Sequence, residues 1–153
     1  MKKTLYPKFI LAYFIFGMFS FIIVTTFVPN MTREHLVRSK AETLYREASL
    51  ISSTYASSLY ASETDLETVK THLDLLALHL DSTIRIINPS GRLVLDTDAP
   101  LDVDKEVMVE DFDPTAAGSS YYMVNDFFGN FGSDMLSVFF PITADYLVKG
   151  YVV

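Results

Sequence analysis

The alternation of apolar and polar positions changes character three times along the chain. Phe9–Val28 is a run of twenty residues without a charge. Twenty helical residues rise about 30 Å, the thickness of a bilayer's hydrocarbon core, so this run predicts a transmembrane helix. From Val37 the apolar positions fall at Ala41, Leu44, Ala48, Ile51 and Tyr55. Spacings of four and three put them on one stripe of a helix over about 31–60, a long continuation of the membrane helix, its start capped by Asn30 or Thr32, with Glu34 in the first turn. Ser62–Asp65 interrupts the stripe and can cap a second helix over about 65–81. Leu66, Val69, Leu73, Leu76 and Leu80 form the apolar face of that helix, widened by Leu75 and Leu78.

Beyond the helices the period shortens to that of strands. Two short runs, about 83–88 and 92–97, flank Asn88-Pro89-Ser90-Gly91. Asn, Pro and Gly at the first, second and fourth positions suit a type I turn, which makes the pair a β-hairpin. Asp98–Gly118 has little apolar periodicity and reads as a long surface loop. Strands follow at about 120–125, 135–142 and 147–153, with Phe127–Asp134 as a turn. Helices first and strands afterwards, without alternation, predict an α+β fold with an antiparallel sheet. The chain stops inside an apolar strand, so a further element is expected beyond it.

Charge sets the orientation of the apolar run. Lys2, Lys3 and Lys8 precede it without an acid, which makes 1–8 a cytoplasmic N-terminus, 9–28 the membrane span and 29–153 an extracytoplasmic domain. A signal peptide has a shorter apolar region, about 7–15 residues, and a small-residue cleavage site. The bulky Phe27-Val28 flank therefore favours a retained anchor. After the run, nine basic side chains face nineteen acidic ones, a net −10. That sign argues against nucleic acid as a partner and is compatible with cationic ligands. The sequence has no cysteine, which excludes disulfides, thiolate metal sites and a Cys nucleophile.

Candidate chemistry is sparse. His72 and His79 lie two helical turns apart, about 10 Å, too far to share a metal without other ligands. Gly129-Asn130-Phe131-Gly132 is not a phosphate cradle, and no arrangement of catalytic residues is recognisable; neither an enzymatic activity nor a cofactor is expected. Between Asp98 and Asp113 stand seven acids and one base. The plain expectation is a solvated loop. The functional one is a divalent-cation site at Asp102, Asp104 and Glu106, whose alternation points them one way in an extended chain. The stripe on the first long helix packs on its own domain's sheet or, through Val37, Ala41, Leu44 and Ala48, forms a seam with a second copy, since spacing near 3.5 suits paired helices.

The segments Ile84–Thr97, Phe140-Pro141-Ile142 and Gly150–Val153, behind two helices and an anchor, resemble the extracytoplasmic PAS-like, or single Cache, sensors of bacterial membrane histidine kinases. Asn88 stands where that hairpin usually has Asp. The resemblance implies a sensor domain whose last strand leads to a second membrane helix and a kinase, which this chain lacks. It also implies a small-molecule pocket on the sheet's face, with Arg85, Tyr121, Tyr122 and Asn125 as candidate ligand residues. The same module serves chemoreceptors and membrane nucleotide cyclases, and a freestanding anchored binding protein is a further alternative.

Overall fold

The structure, a computed structural model, describes residues 5–56, 65–100, 106–118 and 120–153. It is α+β, and it divides into two compact units between Ser39 and Lys40. The first unit is helical and apolar. Its helix, α1, spans Leu5–Ile51 and is long and apolar enough to cross a membrane. Every described side chain from Tyr6 to Val28 is exposed. An exposed stripe without polar relief is what a hydrocarbon solvent requires and water does not tolerate.

The apolar helix continues into the long helix, as expected: α1 runs through Pro29 without interruption, so the second helix start expected at Asn30 or Thr32 is absent. Proline removes one backbone donor from the helix ladder, a loss that apolar spans accommodate when other groups serve the freed carbonyls. The carbonyl that Pro29 frees is that of Thr25, and the Thr25 and Thr26 hydroxyls themselves donate one turn back, to the carbonyls of Phe21 and Ile22.

The second unit begins with the end of α1, which closes in a π-helical turn at Ser52–Ala56. Helix α2 spans Leu66–Leu80. Asp65 occupies its N-cap position without a side-chain capping bond, and Asp81 ends it in the left-handed conformation, with its N–H donated to Ala77. The strands are β1 (Arg85–Ile87), β2 (Leu93–Asp96), β3 (Tyr122–Asn125), β4 (Met135–Val138), β5 (Phe140–Ala144) and β6 (Leu147–Val152). All pairings are antiparallel: β2-β1-β6-β5 form one sheet and β3-β4 another. The single strand expected over 135–142 is thus two, separated at Phe139. Its first half pairs with β3 and its second with β6.

The larger sheet is covered on both faces. On one, Ala48 and Ile51 of α1 and Val69 and Leu73 of α2 pack on Ile86, Leu95, Ile142 and Val152. This is where the far end of the α1 stripe is spent. On the other, Ile87 meets Val109, Phe127 and Phe139, with Phe112 and Phe131 at the margin. Two expectations change here. Leu75 and Leu78 do not widen the buried face of α2 but stand 64% and 81% exposed. The acidic segment is not simply solvated, because Val109 and Phe112 anchor its described part into the second core.

That anchoring holds the hairpin turn. Asn88 Oδ1 accepts the N–H groups of Ser90 at 3.0 Å and Arg92 at 2.8 Å, and the Gly91 N–H closes the turn on the Asn88 carbonyl at 3.0 Å. Gly91 lies at φ +85°, and its carbonyl accepts the Val109 N–H at 2.9 Å. A Cβ at this position would come within 2.8 Å of the Val109 carbonyl oxygen. Gly91→Ala should therefore destabilise the domain by about 1–3 kcal/mol through strain and lost contact. Thermal unfolding followed by circular dichroism checks this, and an unchanged midpoint would show that residues 106–112 do not hold the turn.

Candidate functional site

A cavity of about 250 Å³ lies within the second unit. The end of α1 forms one wall with Lys40, Leu44, Glu47, Ala48 and Ile51. The α2–β1 connection, the Phe127–Phe131 turn, β4 and the end of β6 complete it. Its position follows from the pairing. The β1–β6 ladder reaches its end where the N–H groups of Arg85 and Val153 exchange bonds with each other's carbonyls at 2.8 Å, while β4 has only β3 beside it. Between these elements no described strand fills the gap.

Arg85 stands on the cavity wall. Its position on β1 opposes Asp96 on β2, and Nε donates to Asp96 Oδ2 at 2.9 Å, with the side chains 15% and 9% exposed. The guanidinium lies over the rings of Phe131, at 4.8 Å, and Phe127, at 5.5 Å. Stacking and ion pairing together fix its plane, so its remaining donors have a set direction. Ser137, on β4, is the most buried polar residue of the lining, 8% exposed, and the half-buried Ser82 and Thr83 stand on the α2–β1 side.

The Phe127 ring is held by a strained turn. Phe127, Phe128 and Gly129 all have positive φ, at 51°, 56° and 76°. Bulky residues rarely adopt that conformation. It is supported here by Asn125, whose Oδ1 accepts the Phe127 N–H at 3.0 Å, and by Asn130, whose Nδ2 donates to the Phe127 carbonyl at 3.0 Å. Phe127 is fully buried and stacks on Phe139 at 6.3 Å.

Of the four residues expected to bind a ligand, only Arg85 borders the cavity. Asn125 builds the turn behind it. Tyr121 packs on Tyr45 of α1 at 4.5 Å and on Tyr122 at 5.5 Å, in an aromatic group that includes Phe140. The sheet face where a pocket was expected is filled by Val109, Phe127 and Phe139. Ser137, Leu44 and Phe127 escaped sequence reasoning as cavity residues. They come from three separate elements, and no local pattern links them.

The other expected sites fare differently. Asp102 and Asp104 lie outside the described residues. Glu106 pairs with Arg92 at 3.2 Å on the surface, and no group of three potential ligands that could hold a metal occurs among the described residues. Asp113 accepts the Thr115 hydroxyl at 2.6 Å and its N–H at 2.8 Å, bonds that hold its carboxyl below the usual range. In the expected seam, Ala41 and Ala48 are buried within the chain's own packing and Leu44 borders the cavity, leaving Val37 partly open. No protein-family model, curated protein or solved structure matches this chain.

Removing one member of a largely buried ion pair leaves the other uncompensated. Asp96→Asn should cost about 2–4 kcal/mol. The double replacement Arg85→Leu with Asp96→Leu should cost less than that, because no charge is left stranded. Urea unfolding of the two variants beside the unchanged protein measures both values. A double variant less stable than Asp96→Asn would show that the aromatic stacking of Arg85, rather than its ion pair, dominates.

Proposed function

We propose that this chain is the membrane-anchored, extracytoplasmic input portion of a signalling receptor, binding a small molecule rather than catalysing a reaction. The observation that carries the reading is the double use of α1. The helix that supplies the apolar span also contributes Lys40, Leu44, Glu47, Ala48 and Ile51 to one wall of the cavity. Occupancy of the cavity therefore bears on a helix that is covalently continuous with the anchor. A two-state helix is the simplest element for a ligand to bias across a membrane.

Within this class we favour the sensor region of a two-component histidine kinase, with a PAS-like or single Cache domain. The support is the hairpin at Asn88–Gly91, the order of helices before antiparallel strands, and the apolar final strand β6. The lysines ahead of the span support a cytoplasmic N-terminus, and the acidic remainder then faces outward.

Topology tests the reading directly. Leu78 is exposed on α2, so Leu78→Cys in intact cells should react with a membrane-impermeant maleimide, and Lys2→Cys should react only after lysis. The reverse pattern, or a mature protein starting near Pro29, would overturn it. Signalling also calls for a second copy. Because Ala41 is fully buried within the protomer, contact between copies along this stripe of α1 is placed at Val37, nearer the apolar span. Val37→Cys should form a disulfide-linked dimer in membranes and Ala41→Cys should not. Equal yields at both positions would refute this placement.

A further inference from the structure

On the reading of the cavity as the sensor's ligand site, we propose that its ligand is a neutral, largely apolar molecule bearing a carbonyl oxygen, about the size of a ring with one amide substituent. The volume sets the size. An apolar cavity of about 150 Å³ holds benzene, so about 250 Å³ leaves room for a ring and a short polar group. The walls set the apolar body: Leu44, Ile84, Phe127, Met135 and Val138 are among the residues that border the space.

Of the polar groups on the lining, Ser137 and Arg85, the two held between the cores, set the functional group. The Ser137 side chain is more than nine-tenths buried, lines the cavity, and makes no hydrogen bond to any described residue. A buried hydroxyl without a partner is costly, and native interiors rarely leave one. Arg85 has spent Nε on Asp96, and its terminal amino groups have no acceptor among the described residues. Fixed over Phe127 and Phe131, they are ready donors for an oxygen in the cavity.

Charge decides between a neutral oxygen and a carboxylate. Arg85 is already neutralised by Asp96. Lys40 donates to the Leu80 carbonyl at 3.0 Å, and Glu47 and Asp81 stand on the same wall. There is no surplus positive charge to offset a desolvated anion, and the domain outside carries a net −10. A neutral carbonyl accepts from the guanidinium without adding charge, and Ser137 can donate to it or accept from an amide N–H.

The experiment uses the full chain in detergent, with N-methylbenzamide as the neutral probe and benzoate as its charged counterpart. Ligand-observed NMR and thermal unfolding are the readouts. The amide should bind in the millimolar range and raise the unfolding midpoint, with benzoate about tenfold weaker or worse. Ser137→Ala should weaken the amide about tenfold, the worth of one hydrogen bond. It should also raise the midpoint of the unliganded protein, since it removes an unpartnered buried hydroxyl. Leu44→Phe, which narrows the cavity from its α1 wall, should abolish the response. Absence of amide binding, benzoate binding as well as the amide, undiminished amide binding in either variant, or a lowered midpoint for unliganded Ser137→Ala would each overturn the proposal. The topology experiment is independent: outward labelling at Leu78→Cys with no amide binding removes the ligand class alone, and inward labelling removes the sensor reading whatever binds.

Discussion

Ile86 and Ile87 are neighbours on β1, point to opposite faces of the sheet, and are both fully buried. Everything else in the second unit follows from that constraint. A strand buried on both faces needs two covers, and the chain supplies them from different sources. The end of α1 and the face of α2 cover one side with aliphatic side chains. The other is covered by loops, which must bring large residues to reach the sheet. They bring Val109, Phe112, Phe127 and Phe131. The strained turn at Phe127–Gly129 and the close approach of Gly91 to Val109 are the backbone consequences of covering a sheet with loops.

The cavity arises where this double cover is incomplete. The β1–β6 ladder stops at Arg85 and Val153, while β4 continues beside β3 only. The space between is walled by both cores, so it is apolar, yet it exposes the polar groups that happen to sit at the ends of strands. Arg85 is tolerated there because Asp96 lies directly opposite it on β2 and two phenylalanine rings stack on it. Ser137 is tolerated without a partner. The proposed sensor function uses this imperfection, since a folded core without a gap could not respond to a ligand.

The apolar half of α1 has the pattern of a different solvent. Its side chains from Tyr6 to Val28 are exposed and lack polar relief, whereas from Ala41 onward the same helix has buried positions at regular spacing. One helix thus carries two patterns suited to two environments. The hydroxyls of Thr25 and Thr26, bonded to carbonyls one turn back, stand just before the proline that both patterns meet. A proline costs a helix one donor, and tertiary or lipid context decides whether the helix breaks or continues. At Pro29 it continues.

Much of the fold was legible locally. The apolar run, the period of α2, the hairpin about Asn88–Gly91 and the last strand each rest on interactions within a few residues, so their pattern is written in adjacent positions. The α+β class follows from their order alone. What was not legible depends on partners far apart in sequence. Leu75 and Leu78 have the spacing of a wide apolar face, but the sheet covers only the side carrying Val69 and Leu73. Asp96 reads as one more acid until register places it opposite Arg85. Phe127 reads as part of a glycine turn until the open face of the sheet gives its ring somewhere to go. Periodicity can say that a residue seeks burial, but only the packing of distant elements decides which face is covered, which charge is paired and where a space is left.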